Sequence, residues 1–155
     1  MIVYCAGAIK GDTTYQNNYK EMIRISESMN HTALAELNKK FKFSIPLNDN
    51  QIYKRDIKWI ESSELMIAEI SGPSLGVGFE IAYAIFKKEI PVLALVSSNV
   101  KKISSMITGC NSKLLTIKRY KNIEDMQNII SNYFKNLEEE SDGKGIHHSV
   151  HKQTH

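Results

Sequence analysis

The feature that most constrains this chain is a predominantly apolar run, Leu65 to Ile70. It leads through Ser71-Gly72-Pro73-Ser74-Leu75-Gly76-Val77-Gly78-Phe79-Glu80 into a second apolar segment, Ile81 to Phe86. The first run has the length of a buried strand and the second reads as a packed helix, so the residues between them form a strand-to-helix loop. Pro73 stops strand pairing, and Gly76 and Gly78 let backbone approach a ligand closely. Glu80 is expected in the first turn of the helix, where unpaired N–H groups collect. A carboxylate there is expected to stay ionised, because the positive end of the helix dipole favours the charged form. The plainer reading is a glycine loop with a glutamate capping its helix, and spacing alone does not choose between the two.

The same order recurs at the amino terminus. Met1 to Ala6 is a short apolar run that ends at Gly7-Ala8-Ile9-Lys10-Gly11-Asp12. A helix is expected to start near Asp12 or Thr13 and to carry Tyr15, Tyr19, Met22 and Ile23 inward. Residues 24–48 leave two readings open. In one, the helix ends near Ile23, Arg24 to Met29 is a short strand and Ala33 to Lys40 a small helix. In the other, the helix continues to about Lys39 and Phe41 to Ile45 is the strand. Asp49 or Asn50 is expected to cap a helix reaching about Ser62. Ile90 to Val96 reads as a strand with Pro91 at its start, and Lys101 to Ile107 as a short helix closed by Gly109. Leu114 to Ile117 reads as an edge strand and Ile123 to Leu137 as a last amphipathic helix.

Strands alternating with helices argue a doubly wound α/β fold of the flavodoxin-like or Rossmann-like kind. Its five-stranded, mostly parallel sheet is expected in an order near 2-1-3-4-5, with helices on both faces. In such a sheet, ligands bind outside the carboxyl ends of the strands where the strand order reverses. That rule sets Gly7 to Asp12 and Ser71 to Gly78 on the two sides of one crevice. Neither loop is a dinucleotide fingerprint or a P-loop. Glycine-rich loops at helix starts, with Lys10 and Ser74, instead suit a single phosphate.

The chain of 155 residues reads as one domain over residues 1–137. Its formal charge of +3, with lysines spread along the sequence, gives no electrostatic footprint for nucleic acid. No apolar run approaches the roughly 20 residues of a membrane span, and no signal-peptide pattern opens the chain, so a cytosolic or nuclear protein is expected. Cys5 and Cys110 read as two reduced thiols. Residues 138–155 read by composition as a disordered tail. The tail's His147, His148 and His151 have zinc-like spacing but no fold to fix them, and neither a metal nor a cofactor is expected.

One residue is out of place. Ile52, Asp56 and Ile60 fall on one face of the helix that begins near Asp49, so Asp56 interrupts an apolar stripe rather than joining Lys54, Lys58 and Glu61. Burial raises a carboxyl's pKa, which suits a proton donor; the alternative is a buried aspartate that caps a neighbouring loop.

Four stretches carry a family resemblance: Val3 to Gly11, Ile52 to Ile60, Ala68 to Glu80, and Ser104 to Gly109. In order and spacing they resemble the 2′-deoxynucleoside 5′-phosphate N-hydrolases of the nucleoside 2-deoxyribosyltransferase superfamily. The resemblance covers most of residues 2–135. It implies that Glu80 attacks C1′ of the sugar to give a covalent deoxyribosyl-enzyme, and that Asp56 protonates the leaving base. Such a division of labour matches retaining glycosidases, whose two carboxyls stand roughly 5 Å apart. It further implies that Tyr4 orients Glu80, that Gly7, Ile9 and Lys10 line the base and phosphate side, and that Ser74 and Gly76 hold the 5′-phosphate. Ser104 would reach the phosphate in the site of a neighbouring subunit, making a homodimer part of the mechanism. His31 corresponds to a segment whose histidine lies near the ligand; the alternative is an exposed loop histidine.

The deoxyribosyltransferases carry an acid six residues before the nucleophile, where this chain has Ser74. A hydroxyl can donate to a phosphate that a carboxylate would repel, so a deoxynucleoside monophosphate is the expected substrate. Lys10 stands where the hydrolases usually have arginine, which keeps the charge but loses bidentate recognition, and Ala8 replaces their usual serine. The segment leading to His31 is shorter than usual. Base exchange between nucleosides, hydrolysis of ribonucleoside monophosphates and nucleotide binding without catalysis stay open as alternatives.

Overall fold

The computed structural model describes the backbone of residues 1–148 and the side chains of residues 1–144. Five strands, β1 (Ile2–Ala6), β2 (Thr32–Leu34), β3 (Leu65–Glu69), β4 (Val92–Ser97) and β5 (Leu115–Tyr120), form one sheet in the order β2-β1-β3-β4-β5. Every pairing is parallel, so all the carboxyl ends lie along one edge. The doubly wound architecture expected from the sequence is the one observed.

Strand residues alternate between two cores. Val3, Cys5, Leu65, Ile67, Leu93 and Leu95 pack with α1 (Gln16–Ser28) and α5 (Ile123–His148). Tyr4, Ala6, Met66 and Ala68 face the other way, toward α2 (Asp49–Glu61) and α3 (Leu75–Tyr83). The period of two that sorts these side chains also puts Tyr4 on the face from which α2 and α3 present their carboxyls.

Both readings of residues 24–48 are corrected. Helix α1 runs to Ser28 and ends in a turn where Asn30 takes φ 63°, a left-handed conformation that asparagine tolerates. Strand β2 is only Thr32–Leu34, and Ala33, Leu34 and Ala35, taken for helix formers, are buried. Polar contacts hold this short edge. Glu27 Oε1 accepts from the Ala33 amide at 3.3 Å and from Asn38 Nδ2 at 2.9 Å, and the same Asn38 amine donates to the Ala33 carbonyl at 2.8 Å.

Helix starts also differ. Asp12 does not cap α1; its Oδ1 accepts from the Thr14 amide at 3.0 Å, and α1 begins after Tyr15. Asn48 caps α2 in a reciprocal box with Gln51. Short α4 covers only Ser105–Thr108. Helix α5 does not stop near Leu137 but continues to His148, so residues 138–148 are helical where composition suggested a disordered tail; the part of that reading on residues 149–155 lies outside the described residues.

Two loops meet at the carboxyl edge, backbone against backbone. The Asp12 amide donates to the Pro73 carbonyl at 3.0 Å. A Cβ on Gly11 would stand 2.4 Å from the Pro73 oxygen, and one on Gly72 would stand 2.3 Å from the Asp12 oxygen. Only glycine fits at either position. Gly72→Ala should therefore lower folding stability by about 1–3 kcal/mol or more, read as a lower urea midpoint, since neither opposing group is a side chain that can swing away.

Candidate active site

Beside this loop contact lies a cavity of about 500 Å³, lined by the β1 loop (Gly7, Ile9, Lys10), by α2 (Ile52, Tyr53, Asp56, Ile57) and by α3 with its cap (Ser74, Gly76, Glu80). Glu36, just past β2, completes one wall. The topology explains the gathering, because β2, β1 and β3 are adjacent and each delivers its following loop to the same edge.

At one end, Ser74 caps α3, its Oγ accepting from the Val77 amide at 3.3 Å. Helix α3 begins at Leu75, so Gly76 and Gly78 belong to its first turn and not to a loop as expected. A Cβ at Gly76 would touch nothing nearer than Ser74 Oγ at 3.9 Å, and one at Gly78 nothing within 4 Å. No side chain therefore crowds the first turn at these two positions, and Lys10 lines the same cavity.

At the other end stand the carboxyls. Asp56 is largely buried and accepts from Arg55 Nε at 2.8 Å. Arg55 also approaches Glu36 Oε2 at 3.4 Å and lies 4.8 Å over the Trp59 ring, which fixes its planar head. Burial lifts the Asp56 carboxyl above its ordinary value, while Arg55 pulls it back and Glu36 pushes it further.

Glu80 departs from expectation. It lies beyond the first turn of α3, outside the reach of the helix dipole, and burial followed by the charge of Asp56 pushes it up to about 8. The Tyr4 hydroxyl bonds toward its carboxylate and opposes that push, while burial and Glu80 together raise Tyr4 itself. Asp56 is raised as a buried acid should be, but Glu80 is raised as well and takes up the proton more readily than a surface glutamate.

The structure thus brings Glu80, Asp56, Tyr4, Gly7, Ile9, Lys10, Ser74 and Gly76 together. Of the other two, His31 is not in this cavity, and Ser104, expected to serve a neighbouring subunit, lies outside it as well. His31 precedes β2, at the amino edge of the sheet, where its ring stacks on Phe134 at 3.9 Å and its Nδ1 lies 3.0 Å from the Met1 amino group. Because β2 begins after His31, the opposite edge is the only place it can occupy. Ser104 is exposed at the cap of α4, on a second hollow of about 700 Å³ beyond α3. Arg55 and Glu36 were not singled out from the sequence. Arg55 precedes Asp56 directly, a signal that was visible, whereas nothing local marks Glu36. Among the described residues, no group of three His, Cys, Asp or Glu side chains could hold a metal ion.

Paired carboxyls in a crevice with a serine-capped helix start are an arrangement able to serve acid–base or nucleophilic chemistry on a ligand that carries an anionic group. Comparison with known proteins is specific: the profile of the nucleoside 2-deoxyribosyltransferase family matches residues 3–144, and the chain belongs to that family. A relative from Syntrophotalea carbinolica, provisionally named 2′-deoxynucleoside 5′-phosphate N-hydrolase 1, is 32% identical over 133 residues, 84% of this chain and 92% of that protein. The 5-hydroxymethyl-dUMP N-hydrolase of Esox lucius is 31% identical over 144 residues, 88% of this chain and 98% of its own length. Among solved structures, the Clostridium botulinum CMP N-glycosidase BcmB shares the fold with a TM-score of 0.64 at 16% identity, covering 86% of this chain and 99% of that one.

The raised Glu80 links folding to pH. The native carboxyl keeps its proton up to about 8, whereas an unfolded glutamate ionises near its ordinary 4.5. The native state therefore binds more protons across that window, and stability falls as pH rises through it. Glu80→Gln should stabilise the empty protein little at pH 4 and by on the order of a few kcal/mol at pH 9, measured by urea unfolding at both pH values.

Proposed function

We propose that this protein hydrolyses the N-glycosidic bond of 2′-deoxynucleoside 5′-monophosphates, releasing the free base and 2-deoxyribose 5-phosphate. The observation that carries the proposal is the placing of Glu80 and Asp56 in one cavity with the serine-capped start of α3 and Lys10. The names of the N-hydrolase relatives, which act on 5′-phosphates, support it.

In this reading the Glu80 carboxylate attacks C1′ as the bond from C1′ to the base nitrogen breaks, and Asp56 gives its proton to that nitrogen. The ester at Glu80 is then cleaved by water, whose proton returns to Asp56. The pair must enter the reaction with one proton, and that proton must be on Asp56. Burial raises both carboxyls. A bound sugar settles the proton on Asp56, because positive charge develops at C1′ beside Glu80 while the leaving nitrogen accepts from Asp56. Tyr4 orients Glu80 and stabilises its charged form. Ser74 Oγ, which accepts from the Val77 amide, keeps its own proton free to donate to a phosphate oxygen alongside the amides of α3 and the charge of Lys10.

A homodimer belongs to the same proposal. Leu75, Phe86 and Met106 are 97%, 71% and 83% exposed around the second hollow, an apolar face that a second copy would cover. Ser104 on that face would then reach the phosphate of the partner's site.

Incubation with each deoxynucleoside monophosphate should release base and 2-deoxyribose 5-phosphate, measured by chromatography, and Glu80→Ala should abolish release. No release from any of them, with Glu80→Ala indistinguishable, overturns the proposal. Asp56→Asn should slow kcat by about 10²–10⁴-fold with KM changed only a few-fold, because its proton is needed in the transition state and not for binding. Ser74→Asp should cost monophosphate turnover at least about 100-fold while sparing any activity on the unphosphorylated nucleoside, since like charges would then face one another.

A further inference from the structure

Glu69 is a buried carboxyl that the chemistry above does not use. It closes β3 immediately before the Ser71–Ser74 loop and is only 3% exposed. Its Oε1 accepts from the Ser71 amide at 2.6 Å, and its Oε2 accepts from the Tyr120 hydroxyl, at the end of β5, at 2.5 Å. Ser71 Oγ in turn accepts from the Ser97 amide at the end of β4 at 2.7 Å. Tyr120 Oη accepts from Asn18 Nδ2 on α1 at 2.7 Å. Burial raises the Glu69 carboxyl while Ser71 and Tyr120 pull it down, and both of its oxygens already have donors.

Helix α1 carries the end of the Lys10 loop, and the Ser71–Ser74 loop carries the cap of α3. Glu69 is bonded to the second of these walls directly and to the first through Tyr120 and Asn18. Their other direct tie is the Asp12 to Pro73 backbone contact, which lies at the loop tips, so the two links brace the same pair of walls at different depths.

We infer that Glu69 is a positioning residue for the phosphate end of the site: through Ser71 and Tyr120 it sets the spacing between the Lys10 loop and the start of α3. The inference rests on the reading of that end as a monophosphate site. Glu69 touches no reacting atom, so its effect falls on phosphate affinity and not on the bond-breaking step.

Two variants of the full chain test it. Glu69→Gln keeps the shape but replaces one acceptor by a donor, and Tyr120→Phe removes only the hydroxyl. Calorimetry with inorganic phosphate and steady-state kinetics with a deoxynucleoside monophosphate should show Kd and KM raised about tenfold in both variants, the scale of one hydrogen bond to a charged group, with kcat within about twofold of the parent. Affinity for the unphosphorylated nucleoside should be unchanged. If Glu69→Gln fails to fold, Tyr120→Phe decides alone. A lower melting temperature with unchanged phosphate affinity makes the network purely structural and overturns the inference. Equal losses for phosphate and nucleoside overturn it too. A parent protein that binds neither phosphate nor monophosphate removes the reading of the site itself, and this inference with it.

Discussion

The carboxyl edge of the sheet depends on one contact, the backbone of Gly11 and Asp12 laid against that of Gly72 and Pro73. Parallel pairing of β1 with β3 brings the two loops to the same edge, but pairing alone leaves them free to splay. Here the Asp12 to Pro73 hydrogen bond and the absence of two Cβ atoms close them together. From that closure the rest of the site follows. The start of α3 opens beside Lys10, and the direction of α3 carries Glu80 down toward Tyr4 and Asp56. The contact has no chemistry of its own, yet the side chains of the candidate site are placed relative to it.

The carboxyl end shows a different physics, in which burial works against stability. Three carboxyls, Glu36, Asp56 and Glu80, share a cavity wall with Arg55 packed behind them. A protein selected only for stability would not crowd them so, since Asp56 and Glu36 raise the cost of charging Glu80, and Glu36 that of charging Asp56. Local conflicts of this kind are where folds yield to function. Arg55 limits the cost by neutralising Asp56 and bridging to Glu36, and Trp59 keeps its guanidinium from swinging into solvent.

Much of this was legible in the sequence, because the strands β1, β3 and β4 are apolar runs that end at glycine, serine or proline, and such punctuation gives order and topology together. Asp56 betrayed itself by interrupting a helical stripe. What stayed hidden was set by tertiary contacts. Strand β2 has three residues and alanine-rich neighbours, and what makes it a strand is its register with β1, remote in sequence, helped by the bonds from Glu27 and Asn38. With β2 misplaced, His31 could not be assigned to the correct edge. Glu80 was given the protection of a helix dipole because the start of α3 was set too late, whereas at its actual place burial and the charge of Asp56 raise it. The acidic composition after Glu138 concealed a helix continuing from an anchored segment, where only nucleation, already complete, would have been costly.

Ser74 both caps α3 and lines the crevice. Serine and aspartate are nearly equivalent as helix caps. An exchange between them at this position would therefore be almost invisible to the fold while adding or removing a negative charge facing the crevice. Within such an architecture, a lineage could wander between phosphorylated and unphosphorylated substrates along a path of level stability. Selection on substrate could then act at this position without the compensating changes that altering one of the buried carboxyls would demand.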